Sequence, residues 1–192
     1  MLAKRGLDTL QNISDYHKVF CFPVINYYRN VGFDFDKESF HDIAKEYVSI
    51  YYADKSGNCM LHNNAKTVLD SICRNGNVQV VLSASEINYL RRQVSEFDIM
   101  GYFDEVLGLS DIYAKSKIDI GLDYMMRKNV SNAILIGDTH HDYEVAKALG
   151  VDCVLVPNGH QSKEALLACN VPVLDDISCV CGYLSGEFYY EK

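Results

Sequence analysis

The sequence predicts an α/β protein, with a doubly wound parallel sheet in its later two thirds preceded by a helical region. Three observations carry that reading. After residue 60, short and nearly continuous apolar runs alternate with helix-length amphipathic stretches, as in a parallel sheet covered on both faces. Polar residues collect where those runs end, at Ser83, at Gly137 and Asp138, and at residues 157–160; ligands of such folds bind at the carboxyl ends of strands. Before residue 60 the apolar spacing is helical only.

The elements follow in order. Residues 15–30 place Tyr16, Val19, Phe20, Val24, Tyr27 and Tyr28 at mixed three-and-four spacing, broken by Pro23 and ended by Gly32. Residues 37–52 repeat the pattern with Phe40, Ile43, Ala44, Tyr47, Val48 and Tyr51, and Asp36 or Ser39 is placed to cap that helix. Lys55-Ser56-Gly57-Asn58 is a turn cluster and marks a boundary, giving a helical region over 1–60 and an α/β core over 61–192. In the core, a helix over 63–74 precedes a strand over 78–82, and a helix over 86–94 precedes a strand within 103–109. A helix over 118–128, a strand over 133–136, a helix over 143–149 stopped by Gly150, and a strand over 153–156 complete the alternation.

The bulk numbers narrow the function classes. With 192 residues and 48% hydrophobic residues the chain can bury a core. A net charge of −8 with no basic block argues against a nucleic-acid partner. No apolar stretch reaches transmembrane length and the first ten residues carry no signal-like run, so a cytoplasmic protein with no membrane partner is expected. The seven cysteines fit a reducing compartment, and the Cys179-x-Cys181 pair has no second ligand pair at metal-binding spacing.

Three motifs carry chemistry. The first is Ile134-Leu135-Ile136-Gly137-Asp138-Thr139-His140-His141-Asp142. A buried strand delivers Asp138 at its tip and Asp142 near the start of the next helix, and two converging carboxylates suit a hard divalent cation such as magnesium. The same residues also read as a turn with Asp142 capping the helix. The second is Val80-Val81-Leu82-Ser83-Ala84-Ser85, a hydroxyl at a strand tip before a helix N-terminus, which forms either an anion site or a plain cap. The third is Lys115-Ser116-Lys117, where either ammonium could neutralise a phosphate or simply be solvated.

In order and spacing these pieces resemble motifs two, three and four of the haloacid dehalogenase superfamily, in its phosphoglycolate-phosphatase-like branch. Residues 101–108, the helix at 144–150 and Val156-Pro157-Asn158-Gly159-His160 extend the likeness, and the residues before 60 resemble that branch's inserted helical cap. The resemblance implies a magnesium-dependent phosphohydrolase acting on a small phosphorylated metabolite through an aspartyl-phosphate. Ser83 and Ala84 would bind the phosphoryl group, and Lys117, or less favourably Lys115, would offset its charge. Asp138 would ligate magnesium, with Asp142 ligating directly or through water. Phe22, Tyr27, Tyr28 and Tyr51 are candidates for the substrate face of the cap, although most of them read equally as cap core. A homo-oligomer stays open.

One family motif has no counterpart. Nothing matches the strand followed by Asp-x-Asp-Gly-Thr whose first aspartate attacks phosphorus, and Asp8 in Leu7-Asp8-Thr9-Leu10 lacks its context. The expectation is a chain without its nucleophile, short of roughly 25 to 30 residues, about one strand and one helix of ordinary length, and so inactive. The alternative is a non-catalytic binding or regulatory relative that has lost the nucleophile. The resemblance implies that the missing strand is the central one, between the strands over 78–82 and 133–136. A run of unpaired buried N–H and C=O groups costs about 1–3 kcal/mol each. Those two strands are therefore expected to pair with each other, or to have the slot between them filled by a repositioned stretch of this chain or by a strand donated from a neighbouring molecule.

Overall fold

The computed structural model describes residues 1–53, 59–114, 116–157 and 159–187, the side chain of Tyr52 excepted. The turn cluster at 55–58 and Lys115 lie outside the described residues. Among the described residues, four parallel strands and nine α-helices follow one another as α1 Ile13–Val19, α2 Val24–Asn30, α3 Phe40–Ala53, α4 Ala65–Arg74, β1 Val80–Glu86, α5 Ile87–Glu96, β2 Glu105–Leu109, α6 Ile118–Lys128, β3 Ile134–Gly137, α7 His140–Leu149, β4 Asp152–Leu155, α8 Lys163–Leu167 and α9 Cys179–Leu184.

Pro23 splits the first helical stretch as its missing N–H and fixed φ require. It sits between α1 and α2 at the N-cap of the latter. Asn12 caps α1 by accepting from the Asp15 N–H, and the Ser39 hydroxyl accepts from Asp42 N–H ahead of α3. Tyr28, Phe33 and Ile43 form the buried centre of this helical layer, with Leu2 and Leu7 of the N-terminal segment packed against it. Arg5 fastens that segment down, with its Nε 2.5 Å from Glu38 Oε1 and its Nη2 2.5 Å from Glu46 Oε2.

In the core, β1 pairs with β2 and β3 with β4, all in parallel, as two separate two-stranded sheets. The β3–β4 register is regular, from Ile134 opposite Asp152 to Gly137 opposite Leu155, whereas β1–β2 shifts between Leu82 and Glu86. Val154, Val156 and Leu174 pack with Val68 and Ile72 of α4 and Val180 of α9 in one buried cluster. Cys179 and Cys181 lie on α9 against that cluster, a packing position.

The expectation that the two inner strands close on each other is not met. β1 and β3 do not pair, and no described strand stands between them. Residues 2–10 do not fill the place: Ala3–Arg5 is a 3-10 turn and Asp8 lies exposed in irregular chain. Two physical reasons account for the separation. Gln79 C=O accepts from Asp104 N–H toward β2, and Ala133 C=O from Asp152 N–H toward β4. Alternation then turns the Val80, Leu82, Ile134 and Ile136 carbonyls to the opposite edges. Those edges are not wholly buried, and Ile136 is 38% exposed. The Lys117 ammonium also occupies the seam, where it donates to Leu82 C=O at 2.8 Å.

Candidate active site

The site forms where β1, β3 and the start of α6 meet the helical layer. β1 runs through Ser83 and Ala84 and on to Glu86, so Ser83 lies within the strand, ahead of its tip. The Ser83 hydroxyl accepts from Ser85 N–H at 3.1 Å and donates to Ser85 Oγ at 3.1 Å. Helix α5 starts only after Glu86, whose carboxylate accepts from the Asn88 and Tyr89 N–H groups. The helix N-terminus expected just behind Ser83 is therefore capped by Glu86 and is not presented to an anion by the serine turn.

Lys117 is the residue immediately before α6. Its ammonium joins the Leu82 carbonyl to Asp142 Oδ1, at 2.8 and 2.6 Å. Both partners of this ion pair are well buried, with side-chain exposures of 11% and 7%. Burial alone would push the Asp142 carboxyl up, but the Lys117 charge and hydrogen bonds from Lys117, Thr139 and Asp138 N–H outweigh it and hold the group below the usual carboxylate range.

Asp138 and Asp142 follow β3 as the sequence suggests, yet they are engaged differently. Asp142 serves as the N3 partner of a capping box: Thr139 Oγ1 accepts from Asp142 N–H, and Asp142 Oδ2 accepts from Thr139 N–H. The same Oδ2 accepts from Thr139 Oγ1 at 2.6 Å and from Asp138 N–H at 3.1 Å. Both oxygens are thus committed to the protein. Gly137 permits this, because a Cβ there would collide with the Asp142 side chain. Asp138 Oδ2 accepts from His160 N–H at 2.7 Å, and Gly159 leaves room for it, since any Cβ at that position would strike the carboxylate. Among the described residues no group of three or more His, Cys, Asp or Glu side chains is arranged to hold a metal ion. Among the described residues, Asp138 Oδ1 is the oxygen of this carboxylate pair that accepts no hydrogen bond. It fits a cation that keeps most of its waters, as magnesium does, better than a fully protein-caged one.

Ser83, Ala84, Lys117, Asp138 and Asp142 all line one cavity of about 430 Å³. The structure thus brings every sequence-assigned site residue to a single wall. Lys115, the alternative to Lys117, lies outside the described residues. Of the cap aromatics, Phe22, Tyr27 and Tyr51 reach the cavity, whereas Tyr28, which also touches it, belongs mainly to the cap core with Phe33 and Ile43.

Three further residues were not assigned roles from sequence. His160 stacks on Phe20 with centroids 4.5 Å apart and its Nδ1 lies 2.5 Å from Tyr16 OH, so the loop that holds Asp138 is also fastened to α1. Burial raises the Tyr16 phenol well above its ordinary value, so the phenol keeps its proton. His141 stacks on Phe22 at 4.8 Å, and its buried Nε2 has no hydrogen-bond partner. A glycine-histidine pair following a strand, at Gly159-His160, was the available signal for the first of these contacts; no local pattern marks the ring stacks.

Comparison with known proteins adds the following. The haloacid dehalogenase-like hydrolase family model matches residues 2–156. A structure described as a predicted phosphatase, from Clostridium acetobutylicum, is 20% identical with a TM-score of 0.78 over 96% of this chain and 87% of that one. A haloacid dehalogenase-like hydrolase from Streptococcus pneumoniae is 17% identical with a TM-score of 0.81 over 95% and 86%. A predicted phosphoglycolate phosphatase from Haemophilus somnus is 17% identical with a TM-score of 0.72 over 95% and 86%. No curated protein sequence is significantly similar. Among the described residues, no helix is long and apolar enough to cross a membrane.

Proposed function

The chain belongs to the haloacid dehalogenase-like hydrolases, and from that premise we propose that its cavity is a magnesium-assisted phosphoryl-binding site for a small phosphorylated metabolite. One observation supports this above the others. The buried Lys117 ammonium lies at the meeting point of β1 and β3, in the same wall as Ser83 and Asp138. A phosphoryl group there would accept from Ser83 Oγ and from backbone N–H groups near Ala84, while Lys117 offsets its charge. Asp138 would hold the magnesium through Oδ1, with Asp142 at most through water, and the ion supplies neutralisation of the phosphoryl oxygens. Asp142 keeps Lys117 in place, and His160 N–H holds Asp138 in one orientation.

Attack on phosphorus in this family reading belongs to an aspartate. Asp138 and Asp142 are assigned to metal and lysine, and Glu86 is spent as a helix cap, so among the described lining residues no carboxylate is left to attack. The chain as it stands therefore binds phosphate without turning over a phosphomonoester. The non-catalytic alternative makes the same prediction for this chain, and the coding DNA separates the two. An in-frame Asp-x-Asp-Gly-Thr ahead of the first codon supports the hydrolase, and a stop codon supports the binding protein.

Calorimetry with inorganic phosphate and magnesium tests the site itself. Binding is expected, weakened at least about tenfold by removing the charge in Lys117→Met, a loss of one charge-assisted contact. Absence of phosphate binding would refute the phosphoryl reading. Turnover of a generic phosphomonoester above the blank, lost in Asp138→Ala, would refute the claim that no nucleophile is in place.

A further inference from the structure

Besides the proposed phosphoryl-binding residues, the cavity is lined by aromatic side chains of α1, α2, α3 and the α1–α2 connection. Phe20, Phe22, Tyr27, Tyr47 and Tyr51 all line it. Tyr47 and Tyr51 stack nearly parallel, with centroids 5.6 Å apart and planes at 18°. They remain 46% and 41% exposed, although both lie on a helix whose other face packs inward. Exposed, parallel, apolar ring faces beside a cavity favour a flat guest.

Charge points the same way. Lys117 is the one Lys or Arg among the described lining residues, whereas Glu86, Asp138 and Asp142 all contribute carboxylates. Lys117 is already the partner of Asp142 and is assigned to the phosphoryl group. A second anionic group on the guest, such as the carboxylate of a short phosphorylated acid, would lose its hydration and gain no further Lys or Arg among the described lining residues. A third observation is independent of both. His141 lines this cavity, and its buried Nε2 has no hydrogen-bond partner. Buried polar atoms of this kind are ordinarily satisfied, and a polar substituent on a guest ring would satisfy it.

We propose that the phosphorylated guest carries an uncharged aromatic ring, stacked against the tyrosine face of the cap and hydrogen-bonded to His141, and not a short carboxylated chain. This rests on the phosphoryl-binding reading above and specifies its substrate class. Stacking on an aromatic platform is worth about 1–3 kcal/mol per ring, which corresponds to a preference of roughly five- to 150-fold.

The test uses the full chain with magnesium and three probes: inorganic phosphate, phosphoglycolate and phenyl phosphate. Phenyl phosphate is expected to bind at least about fivefold more tightly than either of the others, the lower end of that stacking range. Tyr47→Leu should collapse the ratio of phenyl phosphate to inorganic phosphate affinity. Because the ring is half exposed the variant should fold, and Tyr51→Leu provides a second reading of the same face. Phosphoglycolate binding as tightly as phenyl phosphate would overturn the aromatic assignment while leaving the phosphoryl site standing. A preference that survives both tyrosine variants would overturn the stacking position. Failure of all three probes to bind would overturn the phosphoryl reading and the assignment with it.

Discussion

The two halves of the sheet are built on the same parallel pattern and differ in depth. In the β3–β4 half, Val154, Leu155 and Val156 are almost wholly buried, and β4 is covered on its far side by a bridge from Leu155 to Val173. In the β1–β2 half every residue of β1 is only half-buried, and the register breaks near its end. The deep half supplies the acidic residues and the shallow half supplies Ser83. Lys117, from the helix between them, is the side chain that touches both. Burial is deepest along β4, while the site draws on the shallower β1 and β3.

That contrast can be broken most directly at the seam. Lys117→Met leaves the buried Asp142 carboxylate without its cation, and breaking a buried pair from one side costs about 3–5 kcal/mol. A urea denaturation midpoint that barely moves would mean that the two halves are held together by something other than this ion pair. The next effect compares the halves themselves. Leu155→Ala should cost about 2–5 kcal/mol as a deep cavity, whereas Val81→Ala in half-buried β1 should cost about 1 kcal/mol. Equal losses would show that the depth difference has no energetic counterpart.

The smallest effect lies in the cap and is set by pH. Hydrogen bonds from Arg5 and Lys4 outweigh burial and hold the Glu46 carboxyl at about 2, below its ordinary 4.5. A folded-state value below the unfolded one stabilises fully above the unfolded value and is lost as pH falls through the folded one. The N-terminal segment should therefore loosen between pH 4.5 and 2, read as faster amide exchange at Leu7 and Phe33. Loosening confined to neutral or alkaline pH would place its anchor elsewhere.

Much of this organisation was legible in the sequence because the signals were local. Apolar runs located all four strands, Pro23 located the break between α1 and α2, and the Gly137-Asp138-Thr139 pattern located the acidic end of β3. Lys117 is favoured over Lys115 for a place in the first turn of the next helix, whereas it lies one residue before α6, at its N-cap. What escaped depends on contacts distant in sequence. Ser83 looked like a strand-tip residue because nothing nearby signals that β1 continues to Glu86. Both readings of Asp142 had been recognised, a cap and a site carboxylate, and only the three-dimensional contacts reveal the cap and the ion pair being made at once. The stacking of Phe20 on His160 and of Phe22 on His141 joins residues more than a hundred positions apart, beyond the reach of any periodicity. The expected closure of the β1 edge on the β3 edge is not met, and the Lys117 ammonium stands at the Leu82 carbonyl on that side.

Those edges have a consequence for how the chain keeps company. Sheet edges in natural proteins are usually guarded by lysine, proline or a covering segment; β1 and β3 contain neither lysine nor proline, and the Lys117 ammonium at the Leu82 carbonyl guards one position of one edge. A row of unmatched amides does not read identity, only extension and polarity of direction. Whatever extended segment arrives first, from a neighbour in a concentrated solution or from a nascent chain nearby, meets a half-written ladder. The social behaviour of this protein, including how far it can be concentrated before it recognises itself, is thus set by two strands that are individually ordinary.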